Sequence, residues 1–158
     1  MSLQSRSAMP LTVAWLGYGG LVPFVALALG SLIDDEQAAF FSAALRAYGA
    51  VILSFVGALH WGFAMTLSEF RDESAQRRQN ETFGWSVVPA LLAWPALLVP
   101  GPLASGLLIA GFAAHYGQDR RLAAFASLPA WYLPMRLRLS ACACLCLATG
   151  VLTRLWCW

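Results

Sequence analysis

The sequence predicts an all-α integral membrane protein: a single bundle of five transmembrane helices, N-terminus cytoplasmic and C-terminus periplasmic. Three observations predict it. The chain is too apolar to be wetted by water, its apolar residues fall into five runs near bilayer length, and its arginines crowd the connections on one side.

Of 158 residues, 59% are hydrophobic and only 11% are charged, and mean hydropathy is +0.65. A soluble domain carries about 25% charged residues. A chain this poor in charge cannot cover its surface with polar groups, so its solvent is lipid. The length favours one domain, residues 1–158. All ten basic residues are arginine, and the net charge of +2 is too small to point to nucleic acid.

The first apolar run spans about residues 11–33. It is longer than the ~7–15 residues of a signal-peptide core and reads as a retained helix. Gly17, Gly19 and Gly20 allow close approach or bending, and Pro23 interrupts its middle. The second run covers about 38–67, with Arg46 in its first turns, where Asp34, Asp35 or Glu36 are candidate partners. The third, about 83–99, holds Pro89 and Pro95 and is expected to kink. The fourth, about 103–118, is short for a bilayer that takes ~20 residues to cross. It carries Gly106, Ala110 and Ala114 at spacing four, a stripe expected to face a neighbouring helix. The fifth covers about 137–156.

Between these runs, Glu69 to Glu81 mixes both charge signs and reads as a solvated loop. Ala123 to Pro134 holds Phe125, Trp131 and Tyr132 between arginines, a composition suited to the headgroup layer. It is expected to form a short interfacial helix or turn.

Orientation follows from the arginines. Arg6, Arg71, Arg77, Arg78, Arg120, Arg121, Arg136 and Arg138 fall on one side, and Asp34, Asp35 and Glu36 on the other. The positive-inside rule places the arginine side in the cytoplasm. Arg154, at the opposite end, is expected to snorkel.

Candidate chemistry is sparse. His60 and His115 are the only histidines, and an intramembrane ionisable residue is a functional candidate by default. Three readings stand for them. His60 is held neutral inside the bundle by Tyr18 and Ser86; or His60, Trp61, Tyr18 and Ser86 bind a quinone or a lipid headgroup; or His60 and His115 ligate a b-type haem. The depths of the two histidines differ by several residues, which disfavours the haem. Cys142, Cys144 and Cys146 alternate along the last helix and, with Cys157, match no metal-site spacing. Asp119, followed directly by Arg120 and Arg121, reads as a surface ion pair. No phosphate loop, hydrolase elbow or metalloprotease helix is present.

Several strings carry a resemblance. They are Leu16-Gly17-Tyr18-Gly19-Gly20-Leu21-Val22-Pro23-Phe24, Leu53 to Gly62 with His60-Trp61-Gly62, Gly84-Trp85-Ser86-Val87-Val88-Pro89-Ala90, Gln118-Asp119-Arg120-Arg121, and Pro129-Ala130-Trp131-Tyr132 followed by Arg136, Leu137 and Arg138. Together the chain resembles a bacterial and mitochondrial membrane family of unknown function, the one that includes transmembrane protein 69. The resemblance spans about residues 10–153. It implies a five-helix membrane protein and no activity. His115 matches no position of the family pattern, which weakens the haem reading.

The function expected from these features is a small non-catalytic accessory or assembly subunit of a larger energy-transducing complex, respiratory or photosynthetic, in a bacterial inner membrane. Its expected partners are membrane lipids and other integral subunits, with no resident cofactor. The alternative is a quinone- or lipid-binding module around His60. A transporter or channel is disfavoured because no charge sits at the membrane midplane.

Overall fold

The structure is a computed structural model and describes residues 8–66 and 73–155, with side chains through residue 151. Arg6, Arg71 and Cys157, and the side chain of Arg154, lie outside the described part. The described chain is all-helical, without a strand. In order, α1 is Leu11–Gly19, α2 Val22–Ile33, α3 Ala38–Thr66, α4 Glu73–Ala96, α5 Gly101–Ala123 and α6 Tyr132–Leu155.

α1 and α2 are the expected first helix, broken in its middle. Pro23 has no N–H to continue the ladder. The chain turns at Gly20–Leu21, where Leu21 N–H donates to the Tyr18 carbonyl. Tyr48 on α3 donates its hydroxyl to the Gly20 carbonyl at 2.9 Å, so the break is satisfied from a neighbouring helix.

α3 is the hub of the bundle: it packs against α2, α4, α5 and α6, most extensively against α4. Gly57 allows that approach. A Cβ there would stand 2.7 Å from Cγ of Pro89 in α4. The core is built from Phe24, Leu45, Leu53, Leu108, Phe112 and Leu147, with Phe24 edge-on to Tyr48 and Phe112.

Four elements differ from expectation. Residues Glu73 to Glu81 are helical rather than loop, forming the first turns of α4. Local pairing supports them: Arg77 bonds Glu81 one turn on at 3.0 Å, and Gln79 reaches back to the Ala64 carbonyl of α3. α5 is 23 residues long, roughly 34 Å at 1.5 Å per residue, so it is not short. It continues through Asp119 because that carboxylate is met inside the bundle. It ends on Arg120 and Arg121, which suit the negative end of a helix.

α6 begins at Tyr132 rather than near residue 137, with Pro134 tolerated in its first turn. The interfacial segment is thereby reduced to turns and extended chain over 124–131. Finally, the Gly106–Ala110–Ala114 stripe faces outward. All three residues are exposed, and a Cβ on Gly106 would meet nothing within 4 Å. The packed face of α5 is instead Ala104, Leu108, Gly111, Phe112, His115, Asp119 and Leu122.

Three segments are long and apolar enough to cross a membrane: Leu11–Ile33, Ala38–Thr66 and Tyr132–Val151. Large apolar side chains stand outward along them, among them Ile33 at 80% exposure, Phe40 at 65% and Leu145 at 70%. Such a surface is stable against acyl chains and not against water. The protein is a multi-pass membrane protein.

Candidate functional site

A fully buried carboxylate organises the polar interior. On α5, His115 and Asp119 are one turn apart and share the inward face. On α6, Tyr132 and Arg136 are likewise one turn apart. α3 adds His60 and α4 adds Trp85. Arg136 donates from Nε to Asp119 Oδ2 at 2.8 Å, and Tyr132 donates its hydroxyl to Oδ1 at 3.1 Å. His60 Nε2 lies 3.6 Å from the same Oδ1 and His115 Nε2 lies 3.9 Å from it. His60 and His115 are each 1% exposed, Asp119 0% and Arg136 8%.

Trp85 donates its indole N–H to His115 Nδ1 at 3.1 Å. That bond requires a lone pair on Nδ1, so a neutral His115 carries its proton on Nε2, directed at Asp119. Several polar atoms remain without a hydrogen-bond partner: both nitrogens of His60, His115 Nε2 and Arg136 Nη2. Buried groups in that state cost about 1–3 kcal/mol each.

His60, His115 and Asp119 offer ligand atoms within 4.8 Å of one another, which invites a metal ion. The donor set does not fit one. His115 would need its Nε2 lone pair for the metal while Nδ1 keeps its lone pair for Trp85, and a neutral imidazole has only one. Asp119 is also already neutralised by a guanidinium. Haem fares no better, although the two histidines are closer than their expected depths implied. Their rings meet edge to face with centroids 4.7 Å apart, which leaves no space for a macrocycle between them.

The residues expected around His60 are only partly gathered. His60 is in the cluster. Ser86 is buried but turns its hydroxyl to its own helix, bonding the Phe83 carbonyl at 2.6 Å. Trp61 is 52% exposed and packs on Phe83. Tyr18 sits at the α1–α6 seam, where Arg138 approaches its hydroxyl at 3.5 Å. Asp119 is not a surface ion pair with its neighbouring arginines. Its partner is Arg136, seventeen residues on. Among the cysteines, Cys142, Cys144 and Cys146 are free thiols, and Cys144 leans on the Ile109 carbonyl of α5 at 3.9 Å.

Beside the cluster runs an apolar groove of about 410 Å³ between α1–α2, α3 and α6. Its volume lies within the ~300–1,000 Å³ usual for small-molecule sites. Apolar side chains such as Leu16, Phe24, Ile52, Phe55 and Leu139 form its walls, and Tyr132 and Arg136 form its polar end. Along α6 it reaches from Tyr132 to Ala143, roughly 16 Å at 1.5 Å per residue. Neither histidine lines it. They are joined to it through Tyr132 and Arg136, which belong to both groove and cluster.

Residues 9–152 match the family described as "Protein of unknown function (DUF3429)". The chain belongs to this family. It is 33% identical over 135 residues to Transmembrane protein 69 of Xenopus tropicalis, covering 83% of this chain and 50% of that protein. It is 23% identical over 128 residues to Transmembrane protein 69 of Mus musculus, covering 81% and 50%. The chain thus spans about half the length of these relatives. No solved structure matches it. The family membership agrees with the resemblance carried by the sequence strings, and the matched region contains every member of the Asp119 cluster.

Reasoning from sequence did not find Asp119, Arg136, Tyr132 and Trp85 as one site. Two signals were present: the one-turn spacings His115–Asp119 and Tyr132–Arg136. Each was hidden by ending α5 too early, at about residue 118, or starting α6 too late, at about residue 137, where the structure has α5 run to Ala123 and α6 begin at Tyr132.

Proposed function

We propose that this chain is a non-catalytic binding protein of the bacterial inner membrane that holds an amphipathic, membrane-soluble molecule, a quinone or a lipid, in the α1–α2/α3/α6 groove. The head of that molecule lies at Tyr132 and Arg136, and its chain runs toward Phe24 and Ala143. One observation carries this reading: an apolar groove and a buried polar cluster share two side chains, Tyr132 and Arg136.

The same proposal includes five transmembrane helices, with α1–α2 counted as one crossing. α4 and α5 have 24 and 23 residues, and the parts that would cross are their uncharged stretches, 82–96 and 101–118. Arginines 77, 78, 120, 121, 136 and 138 fall toward one end, and Asp34, Asp35 and Glu36 toward the other, which supports a cytoplasmic N-terminus. On that orientation the polar end of the groove lies in the cytoplasmic leaflet.

A second reading is favoured by a separate observation. The outward Gly106–Ala110–Ala114 face of α5 suits close packing against a helix of another protein. This supports service as an accessory or assembly subunit of an energy-transducing complex, a role compatible with carrying a bound lipophile.

The test is to purify the protein in mild detergent and identify extracted lipophiles by mass spectrometry. Wild type is expected to retain one such molecule in near-stoichiometric amount. Leu139→Trp and Val13→Trp, which fill the groove from α6 and α1, are expected to lose it while remaining monodisperse. Equal retention by the filled variants overturns the proposal.

A further inference from the structure

We infer that the groove is a single-leaflet site for one acyl chain of a cytoplasmic-leaflet phospholipid, chosen by the length of that chain and not by the head. This rests on the reading that the groove binds an amphipath, and it names which one and which part of it is recognised.

Depth is the first argument. The lining uses residues 13–24 of the Leu11–Ile33 segment, 52–59 of Ala38–Thr66 and 132–143 of Tyr132–Val151. Among the described residues, none of it comes from 25–33, 38–51 or 144–151. The groove is therefore confined to the half of the bundle that carries Arg120, Arg121 and Arg138. Its course along α6 is roughly 16 Å at 1.5 Å per residue, and half of a hydrocarbon core of ~30 Å is ~15 Å. An occupant with its head at the surface by Trp131 ends at the bilayer midplane, as one chain of a leaflet lipid does.

The lining is the second. Its surface is almost wholly apolar. Tyr132 spends its hydroxyl proton on Asp119 Oδ1, Arg136 spends Nε–H on Oδ2, and Arg136 Nη2 is buried away from the groove surface. A headgroup gains no hydrogen bond from these atoms, so one head is not preferred to another. What the groove touches is hydrocarbon.

Shape is the third. Leu16, Phe55 and Leu59 line the groove and are also exposed, and α1, which forms one wall, buries none of its own residues. The groove thus opens sideways to the surrounding acyl chains, and a lipid enters by its chain while its head stays in the headgroup layer. The far end is shut. Phe24, Phe112 and Ala143 line it there and are core residues, all buried.

A chain moving from bilayer to groove exchanges one apolar environment for another, so no hydrophobic gain decides its affinity. Packing decides it. A chain that fills the groove supplies dispersion contacts its walls otherwise lack. A chain that overruns the shut end must bend back out through the open side, and extra methylenes forced into a packed apolar site are costly.

The experiment places wild-type full-length protein in lipid nanodiscs, transfers it to mild detergent, and identifies retained lipid by native mass spectrometry. One set of discs holds equal amounts of dimyristoleoyl-, dioleoyl- and dierucoyl-phosphatidylcholine. A second holds dioleoyl-phosphatidylcholine, -phosphatidylethanolamine and -phosphatidylglycerol. A third holds dioleoyl-phosphatidylcholine with a polyprenyl benzoquinone. The inference expects one retained phospholipid, with the dierucoyl species depleted roughly tenfold against the dimyristoleoyl, the scale of a misfit of a methylene or two. It expects the three heads to be retained in the proportion supplied, and the quinone not to displace the phospholipid. Enrichment of one head, indifference to chain length, or preferential retention of the quinone each overturns it. If Leu139→Trp loses the molecule in such a case, the groove reading still stands. No retained molecule, or equal retention by a monodisperse Leu139→Trp protein, overturns the groove reading itself. Chain and head selection are read on the unmodified protein, so neither depends on a variant that fails to fold.

Discussion

Asp119 and Arg136 meet at 2.8 Å in the interior, one at 0% and the other at 8% exposure. They couple the end of α5 to the first turns of α6 across a connection of turns and extended chain. A buried pair of this kind is not a large source of stability by itself, but breaking it leaves a lone charge away from water, at a cost of about 3–5 kcal/mol. Asp119→Leu is therefore expected to lower the unfolding midpoint sharply. Adding Arg136→Met is expected to regain most of the loss, because it removes the charge that was stranded. Unfolding in detergent with both variants checks this. A double variant no more stable than the single would show that the loss arises elsewhere.

Trp85 sets the proton of His115. Trp85→Phe keeps the ring and removes the N–H that donates to Nδ1, leaving a buried acceptor without a donor at about 1–3 kcal/mol. Nitrogen NMR of labelled protein is expected to show His115 protonated on Nε2 in wild type and a mixture of tautomers in the variant. An Nδ1–H signal for His115 in wild type would contradict the bond.

The division between what was legible in the sequence and what was not has a physical basis. Composition, helical runs and the break at Pro23 are properties of local segments, and the described structure is all-helical, broken at Pro23, with three segments long and apolar enough to cross a membrane. Asp119 was misread because adjacent arginines are the nearest charges along the chain. On a helix, residues next to each other in sequence point in different directions, and Arg120 and Arg121 face outward while Asp119 faces in. Tyr132 was assigned to an interfacial segment on composition and Arg136 to the arginines that flank it, yet one turn of α6 brings both to the same carboxylate. The small-residue stripe at Gly106 was found by spacing. Spacing cannot say which side of a helix its own bundle covers.

Gly57 is a packing requirement and Gly62 is not. A Cβ on Gly57 would stand 2.7 Å from a proline ring that has no rotamer to yield, whereas one on Gly62 meets nothing within 4 Å. Gly57→Ala is expected to separate α3 from α4 and cost about 1–3 kcal/mol, as overpacked cores do. Gly62→Ala is expected to be neutral or to stabilise by up to about 1 kcal/mol through helix propensity. The two unfolding midpoints, measured side by side, decide it.

The proposed topology makes a direct prediction. Alkaline phosphatase, which is active only outside the cytoplasm, is expected to be active when fused after residue 35, after residue 100 or after residue 158. Fused after residue 78 or residue 126, it is expected to be inactive. If only Leu11–Ile33, Ala38–Thr66 and Tyr132–Val151 crossed, the fusion after residue 100, between α4 and α5, would be inactive while the other four kept their expected readings.

The outward face of α5 separates a self-sufficient protein from a subunit. A Cβ on Gly106 would meet nothing within 4 Å, and Gly106 and Ala110 are both exposed. Gly106→Leu with Ala110→Leu should leave the unfolding midpoint unchanged or slightly raised, since leucine favours helix over glycine. The same change fills the space that a partner helix would need for close approach. If the chain serves a larger complex through this face, the tagged double variant should run at a smaller size than wild type in mild-detergent native gels. It should also lose the integral proteins that accompany wild type, while its groove ligand is retained. Identical size and company for the two proteins would remove α5 as the docking face.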